Sequence, residues 1–485
     1  MKIEKISIKN YRCYENEEIS FGTESTIIIG KNGTGKSTLL SAIRKGMTFM
    51  FSGTSNNKFK KNNDTKIEGF ANWDTRYVED GSGFQYPTVL NYKVLLDKSN
   101  IHWNFYKEGI QGKLHSTYYK DALGIINKLN NKGQFSWPVL AFYGDCYPHK
   151  RRENNKRIKD FNDLLLTEGI LPRDIGYSFW NEDTSIVSSW FNRYKYIVNL
   201  IKQEEDLLQH LDVEINFLEE QRKLNKETAD TQSFNNIVSK RNNFNLLFEK
   251  YNNKTIKLVE ERDFVKETVL SFFKKDNESI ENELVLHDIS VRATTGGDLL
   301  FFNLGSSSSF SDGVYNEETL PMGYMRLIHI VFDLAYRCYI INGKDDEAKG
   351  IALIDELELH LHPSLQKVIL NKFKRTFKGI QFIATTHSPI ILSKIQTNET
   401  NKVLKLDKID KKYYSKELRD VYSTDFNYNL INVMNVDLSN QLLDTYINAY
   451  QFLKNDDKKL ANQYYEKIKE LFNGKIPDFV QIKLS

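Results

Sequence analysis

The chain has 485 residues, 40% of them hydrophobic and 27% charged, which is an ordinary composition for a soluble protein with two or three core-bearing units. Its 67 basic and 64 acidic residues give a net charge of +3, which by itself does not indicate a nucleic-acid-binding protein. Three widely spaced cysteines, an N-terminus without an apolar signal core and the lack of a long apolar run predict a cytoplasmic protein without disulfides, zinc knuckles or membrane contact.

The first elements alternate between strands and a helix, which favours an α/β fold. KIEKISIKNY alternates like a strand, and the run ending in TIIIG predicts a buried strand at residues 26–29. A helix is predicted from Lys36 to about Gly46, followed by a polar loop over residues 52–66. Further strand-like segments come next, and WPVLAFYG closes this region as a buried strand.

Glycine and proline disappear between about residues 190 and 280, which predicts an inserted helical hairpin. One face of its first arm carries four apolar side chains, Leu207, Leu211, Ile215 and Leu218. We expect arms of a few turns each, far shorter than a coiled-coil arm. Strand-like segments return after Glu281, and the residues from about 425 onward predict a polar helical tail.

GKNGTGKST, residues 30–38, fits the phosphate-loop pattern G-x-x-x-x-G-K-[ST] between a predicted strand and a predicted helix. The loop glycines let backbone N–H groups converge on an anion, while Lys36 can reach the β- and γ-phosphates of ATP and Ser37 can hold Mg²⁺. The predicted nucleotide-binding residues of this loop are Gly30, Asn32, Gly33, Thr34, Gly35, Lys36, Ser37 and Thr38. A chance glycine-rich turn is the alternative, and the flanking elements argue against it.

Two later strands end in residues suited to ATP hydrolysis. The apolar run GIALIDE ends in two carboxylates, where Asp355 suits Mg²⁺ coordination and Glu356 suits polarising the attacking water. A carboxylate pair that caps a helix is the alternative. The strand QFIATTHSP ends at His387, which we interpret as a γ-phosphate sensor because ligands collect at the carboxyl ends of parallel strands. A structural histidine is the alternative there.

These motifs, in this order, resemble the ABC-type ATPase head of the RecF, SMC-like and OLD group. DELELHLHPSLQ is similar to a motif of many such bacterial ATPases, with Leu357 where proline is usual. The resemblance covers roughly residues 1–45 and 280–395. It implies a mixed sheet with an antiparallel β lobe, divided into an N-terminal lobe (1–190), a helical hairpin insertion (191–280), a C-terminal lobe (281–400) and a helical C-terminal region for partner or self association (401–485).

LPMGY, residues 320–324, matches the signature motif, which in this family binds the nucleotide held by another subunit. Pro321 can occupy the first helical turn, leaving the N–H groups of Met322, Gly323 and Tyr324 to face an anion. The resemblance therefore implies a homodimer or higher even oligomer that shares ATP. Pro321 stands where the usual signature has a serine. The contact that the serine hydroxyl makes with the nucleotide must therefore come from backbone groups or Arg326, or be lost. An ordinary Pro-Gly helix start is the alternative.

Three further sequence features have less specific patterns than the nucleotide motifs. Arg12 matches an arginine that reaches nucleotide phosphate in related heads, and a solvated loop arginine is the alternative. Gln85 is the nearest candidate for the glutamine that couples nucleotide to movement. The basic run 149–159 could contact the DNA backbone, although such runs are most often solvated faces.

The residues C-terminal to His387 predict the partner. Asp407 and Asp410 have the wrong spacing for a Toprim nuclease, so the nuclease is expected on another chain. The C-terminal residues resemble PtuA, the ATPase subunit of Septu and retron-associated antiphage systems, which implies a separate HNH-type nuclease. A retron reverse transcriptase and its DNA are further candidate partners. A RecF-like repair clamp on duplex DNA stays open, whereas a membrane-transport subunit is disfavoured by the hairpin and the LHP motif.

Overall fold

The computed structural model describes residues 1–53, 68–79, 81–96, 99–110, 117–131, 136–144, 155–167, 169–180, 187–224, 231–275, 285–305, 313–344, 347–410, 412–419, 421–424, 426–434, 441–455, 457–472, 474–477, 480–481 and 484. The strands are β1 Lys2–Tyr11, β2 Tyr14–Ser20, β3 Ser25–Ile29, β4 Tyr77–Val78, β5 Gly83–Phe84, β6 Thr88–Leu96, β7 Ser99–Lys107, β8 Val139–Tyr143, β9 Val285–Thr294, β10 Gly297–Gly305, β11 Val314–Asn316, β12 Gly350–Ile354, β13 Ile380–Thr385, β14 Asn401–Ile409 and β15 Lys412–Leu418. The helices are α1 Lys36–Met47, α2 Thr117–Asn131, α3 Asn155–Thr167, α4 Val187–Leu224, α5 Thr231–Phe273, α6 Met322–Asn342, α7 Pro363–Thr376, α8 Pro389–Leu392, α9 Phe426–Tyr428, α10 Gln441–Leu453 and α11 Lys458–Leu471.

A six-stranded mixed sheet forms the centre of the larger unit, in the order β15-β14-β3-β13-β12-β8. All neighbours pair in parallel except the β14–β15 hairpin at one edge. Strands β3, β12 and β13 are completely buried, as continuous apolar runs in a parallel sheet require. Their carboxyl ends therefore lie at one edge of the sheet, where the phosphate loop comes directly after β3.

An antiparallel lobe of order β2-β1-β6-β7 packs on α1. Tyr92 donates from its hydroxyl to the carbonyl of Ala42 at 2.7 Å, and Trp103 donates from its indole to the carbonyl of Gly46 at 2.9 Å. A Cβ at Gly46 would lie 2.0 Å from the Tyr92 ring, so this close approach requires glycine. Gln381 on β13 ties the lobe to the central sheet through hydrogen bonds with both backbone groups of Ile3.

The helical hairpin is much longer than the sequence pattern predicted. Helices α4 and α5 have 38 and 43 residues, or roughly ten turns or more each, so the expectation of a few turns was wrong. Leu211 and Leu218 are buried as expected, whereas Leu207 is exposed. The proximal halves of both helices belong to the core of the larger unit, where Arg193 of α4 makes a bidentate ion pair with Glu261 of α5 at 2.8–2.9 Å.

Asp333 on α6 is a buried junction between three elements. Its carboxylate accepts hydrogen bonds from Tyr143 of β8 at 2.8 Å, from the Trp190 indole of α4 at 2.6 Å and from Arg337, one turn along α6, at 2.6 Å. The Arg337 guanidinium also donates to the carbonyl of Gly176 at 2.8 Å. Charge-assisted bonds thus hold α6 against the sheet edge and the hairpin base.

The C-terminal region differs from its predicted boundary. Residues 401–418 contribute β14 and β15 to the central sheet, and the second compact unit comprises Asp425–Ser485. Within that unit α10 and α11 pack together around Ile447, Ile468 and Val480. Asp457 caps α11 by accepting hydrogen bonds from two backbone N–H groups of its first turn. Across the parts of the chain described above, no helix is long and apolar enough to span a membrane.

We predict that Asp333→Ala destabilises the larger unit by about 3–5 kcal/mol, because it leaves the buried Arg337 guanidinium without its carboxylate partner. Urea unfolding monitored by circular dichroism measures this effect. The matched control is Asp288→Ala, which removes a half-exposed partner of Lys266 and should cost at most about 1 kcal/mol. Equal stability of the two variants would contradict the role of Asp333.

Candidate functional site

The phosphate loop has the backbone that its glycines predict. Gly33 and Gly35 adopt φ of +78° and +95°, a region that favours glycine. A Cβ on Gly35 would lie 2.8 Å from the hydroxyl of Tyr14, whereas a Cβ on Gly33 would meet no atom within 4 Å. The loop is therefore packed against the β1–β2 turn on one side and open at Gly33.

Lys36 lies across this loop at the start of α1. Its ammonium donates to the carbonyls of Gly30 and Lys31 at 2.8 and 3.2 Å. Burial lowers the pKa of Lys36 below its usual value, and attraction by nearby carboxylates, including Asp355 and Glu356, opposes this change. The cation therefore faces the acidic end of β12 across the open loop.

Asp355 connects three elements at the carboxyl edge of the sheet. Its carboxylate accepts hydrogen bonds from Ser37 of α1 at 2.9 Å and from the hydroxyl of Thr385 at the end of β13. The backbone N–H of Asp355 donates to the carbonyl of Tyr143 on β8 at 2.8 Å. The two predicted metal ligands, Ser37 and Asp355, are thus in direct contact.

Glu356 has a constrained backbone. Its φ of +51° is uncommon for a residue other than glycine, and its N–H donates to the Thr385 hydroxyl at 2.8 Å. Leu357, where related ATPases have proline, donates its own N–H to the Thr385 carbonyl at 2.9 Å, a bond that proline cannot make. Thr385 therefore holds the carboxylate of Asp355 and the backbone of Glu356 in place.

His387 is positioned by a network that sequence reasoning missed. Glu358 accepts hydrogen bonds from the backbone N–H of His387 and the hydroxyl of Thr386, both at 2.6 Å. Gln366 on α7 accepts from Ser388 at 2.6 Å. Glu358 and Gln366 lie in DELELHLHPSLQ, the stretch that is similar to the family motif, and this was the signal that could have identified the network.

The signature stretch begins α6 one position later than expected. Pro321 is the residue before the first helical turn, and Met322 is the first helical residue. A Cβ on Gly323 would lie 2.6 Å from the carbonyl of His360, so glycine permits the close approach of α6 to the segment after β12. Tyr324 lies in the same first turn, and the N–H groups of residues 322–324 precede the first intrahelical donor.

Arg326 is engaged within its own subunit. Its guanidinium is buried and donates to the backbone carbonyls of Asp355 at 2.9 Å and Leu359 at 3.4 Å. It therefore joins α6 to the end of β12 within one subunit. The source of the contact that the signature serine usually makes, whether backbone groups, Arg326 or none, stays a prediction.

The comparisons with known proteins identify the family. The AAA ATPase domain family matches residues 1–392, about four fifths of the 485-residue chain. The chain belongs to this family. This chain is an ATPase, as its motifs predict, and the α/β head fold with a phosphate loop, a mixed sheet and an antiparallel β lobe is confirmed.

Three relatives are most informative about this ATPase. The retron Vc95 probable ATPase of Vibrio cholerae serotype O1 biovar El Tor is 26% identical over 424 residues, covering 84% of this chain and 74% of that protein. The retron Ec83 probable ATPase of Escherichia coli is 25% identical over 427 residues, covering 82% of this chain and 70% of that protein. The Septu protein PtuA of Bacillus mycoides (strain KBAB4) is 31% identical over 140 residues, covering 29% of this chain and 19% of that protein. The predicted resemblance to the ATPases of Septu and retron-associated systems is confirmed.

The site of this ATPase fits a nucleotide with Mg²⁺. The loop is open at Gly33, and Lys36 supplies a cation beside it. Ser37 and Asp355 offer oxygen atoms of the kind that Mg²⁺ prefers. The loop and Lys36 could hold the phosphates, and Ser37 and Asp355 could hold the metal ion.

Arg12 lies beside the site but is bound to another residue. It has a φ of +48°, and its guanidinium pairs with the buried carboxylate of Asp74 at 2.9 Å. Neighbouring Cys13 and Tyr14 contact the phosphate loop, where the Tyr14 hydroxyl donates to the carbonyl of Gly35 at 3.0 Å. Contact between Arg12 and phosphate stays a prediction.

The remaining candidates lie elsewhere. Gln85 donates its side-chain amide to Ser82 and Gly83 within its own β4–β5 hairpin, so these contacts do not bring it to the phosphate loop. Asp407 and Asp410 lie at the β14–β15 hairpin. Most of the basic run, residues 149–154, lies outside the described residues.

We predict that Lys36→Ala weakens binding of ATP with Mg²⁺ at least roughly 10-fold, because a charged hydrogen-bond donor to phosphate is lost. Titration calorimetry measures the affinity. Lys31→Ala is the matched control, since the Lys31 side chain is exposed in the same loop and should leave affinity unchanged. Unchanged binding by Lys36→Ala would remove this loop from the nucleotide site.

Thr385→Val should slow ATP hydrolysis by roughly 10- to 100-fold while largely preserving ATP affinity. The near-isosteric change deletes the hydroxyl that bonds to Asp355 and to the Glu356 N–H, and hydrogen bonds to charged groups contribute about 1.5–3 kcal/mol. Phosphate release at saturating ATP tests this expectation. Thr376→Val, a change at the end of α7, is the control. Normal turnover in Thr385→Val would show that this hydroxyl does not position the Asp355 carboxylate and the Glu356 backbone for catalysis.

Proposed function

We propose that this chain is the regulatory ATPase of an antiphage defence complex, which binds ATP between subunits and controls an associated nuclease. The single observation that carries the ATPase part is the contact of Ser37, Asp355 and Thr385 beside an open phosphate loop. The retron ATPases that match over most of the chain support the defence role.

The phosphates, the metal ion and the attacking water each have proposed binding residues. Lys36 and the N–H groups of residues 30–38 bind the phosphates, and Ser37 and Asp355 hold Mg²⁺. When bound, Mg²⁺ supplies charge neutralisation at the phosphate oxygens. Glu356 orients and deprotonates the attacking water, since it comes directly after Asp355 and its N–H is fixed by Thr385. His387 senses the γ-phosphate, with its backbone held by Glu358.

A second copy of the chain completes the site in this proposal. The first turn of α6 presents the N–H groups of Met322, Gly323 and Tyr324, and such donors favour an anion. Met322 is half-exposed, so this turn is accessible on the surface of a single subunit. ATP shared between two subunits would join the phosphate loop of one copy to α6 of the other.

The nuclease is proposed to be a separate HNH-type protein, as the resemblance to PtuA implies. A retron reverse transcriptase and its DNA are proposed as further components because the relatives matching over most of the chain are retron ATPases. In this arrangement the nucleotide state of the ATPase determines whether the nuclease is held or released.

We predict that tagged Glu356→Gln protein binds ATP, hydrolyses it slowly and retains a stoichiometric nuclease when it is isolated from its native host. Removal of the general base should trap the ATP-bound assembly. Mass spectrometry of the purified complex identifies the partner, and Lys36→Ala serves as the matched control that should not form the ATP-bound state.

Two outcomes would contradict the proposal. Normal turnover by Glu356→Gln would remove this residue from the catalytic role. Recovery of duplex DNA without a protein partner, in a manner dependent on ATP and salt, would instead establish the RecF-like clamp.

A further inference from the structure

The β14–β15 hairpin projects beyond the carboxyl edge of the central sheet. Residues 401–405 of β14 pair in parallel with residues 25–29, the whole of β3. Strand β14 then continues for four residues to Ile409, which carries it about 13 Å past the end of β3 at about 3.3 Å per residue. A Cβ on Gly30, the residue after β3, would lie 2.5 Å from the carbonyl of Leu406. The tip of the β14–β15 hairpin therefore stands beside the phosphate loop.

One face of the β14–β15 hairpin is fixed to the antiparallel lobe. The ring of Tyr413 packs edge-to-face with that of Tyr14, with centroids 6.1 Å apart. Ser415 donates its hydroxyl to the carboxylate of Glu17 on β2 at 3.0 Å. Because successive side chains of a strand point to opposite faces, the side chain of Tyr414 lies on the face directed away from this lobe.

That second face is exposed and combines apolar side chains with cations. Cross-strand pairs share a face, and Ile409 lies opposite Lys412 in the β14–β15 register. Asp407, also on this face, pairs with Lys405 at 3.4 Å, while Asp410 lies in the turn. Four exposed side chains dominate the face, namely Ile409, Lys412, Tyr414 and Lys416. The face therefore carries a net positive charge next to an apolar tip.

The segment that precedes α6 has the opposite charge. Asn316 accepts a hydrogen bond from the backbone N–H of Glu318 at 2.9 Å, which fixes this turn. The Glu318 side chain is exposed, whereas neighbouring Glu317 pairs with a lysine of α4 at 2.7 Å. Exposed apolar side chains lie on both sides of Glu318 in the sequence, namely Val314 and Met322. This segment therefore complements the exposed face of the β14–β15 hairpin in charge and in apolar character.

We propose that the tip of the β14–β15 hairpin docks against the segment preceding α6 in a second copy of the chain, with Lys412 of one copy beside Glu318 of the other. The inference rests on the proposed sharing of ATP, in which the phosphate loop of one copy and the first turn of α6 of the other contact one nucleotide. The hairpin tip stands beside that loop, and Glu318 comes four residues before Met322, so the same arrangement brings the two segments together. Ile409 then contacts Val314 across the interface. Complementary charge of this kind fixes the register of two partners.

The first test reverses the charges on the full-length protein. Lys412→Glu and Glu318→Lys should each weaken the dimer formed with a non-hydrolysable ATP analogue by roughly 5- to 30-fold, because a two-fold dimer makes the contact twice. The double variant should recover most of the wild-type affinity, since it restores opposite charges. Lys378→Glu is the matched control, because this exposed lysine precedes β13 at the other edge of the sheet. Analytical ultracentrifugation measures the dissociation constants.

Disulfide cross-linking supplies an independent readout of which segments meet. A variant with both Lys412→Cys and Glu318→Cys should form a covalent dimer with the ATP analogue under mild oxidation, seen by non-reducing electrophoresis. Each single-cysteine variant controls for the three native cysteines and should form much less of this dimer. Addition of Lys36→Ala to the double-cysteine variant should abolish it, because the analogue is no longer bound.

Three results would overturn the inference. They are an unchanged dimer dissociation constant in both charge-reversal variants, a double variant that dimerises no better than either single one, and no cross-linked dimer beyond that of the single-cysteine variants. Unchanged dimerisation of Lys412→Glu together with weaker binding of a labelled oligonucleotide would assign the hairpin to nucleic acid and also overturn it. Failure of the wild-type protein to dimerise with the ATP analogue would instead overturn the proposed sharing of ATP, so the two failures are distinguishable.

Discussion

The carboxylate of Asp355 is the interaction on which the candidate site depends. It is held at the end of a completely buried strand, and it bonds to Ser37 at the start of α1 and to Thr385 at the end of β13. A carboxylate in this position is costly unless hydrogen-bond donors and cations surround it. The parallel register of β3, β13 and β12 is what brings those donors to one edge of the sheet.

The nucleotide motifs could be predicted from sequence because their chemistry is local. The phosphate loop needs glycines at fixed positions for its backbone, and β12 and β13 each join a short apolar run directly to polar residues. The structure brings Ser37 and Asp355 together as those patterns imply. The bonds of Thr385 to Asp355 and Glu356 were missed because a threonine near a strand end has no distinctive spacing, and its partners are about 30 residues away.

The errors also have physical reasons. The hairpin arms are rich in charged and amide side chains, so their apolar stripe is too sparse to reveal helices of 38 and 43 residues. Strands β14 and β15 were assigned to a helical region because KLDKIDKKYYSKEL is dominated by lysine and aspartate, although an edge hairpin tolerates such residues. Pro321 was expected in the first turn of α6, but α6 begins one residue later, at Met322. Residue preferences do not define the end of a helix to within one residue.

The hairpin is rooted on the same helix that carries the signature stretch. The Trp190 ring of α4 stacks on Tyr336 of α6 with centroids 4.7 Å apart, and Tyr339 of α6 donates its hydroxyl to the Lys257 carbonyl of α5. At 1.5 Å per residue, α4 is roughly 57 Å long. A tilt of α6 by about 5° that carried the hairpin with it would displace the far end of α4 by about 5 Å. A small rotation of α6 that carried the hairpin with it would therefore move the far end of α4 by more than the length of a hydrogen bond.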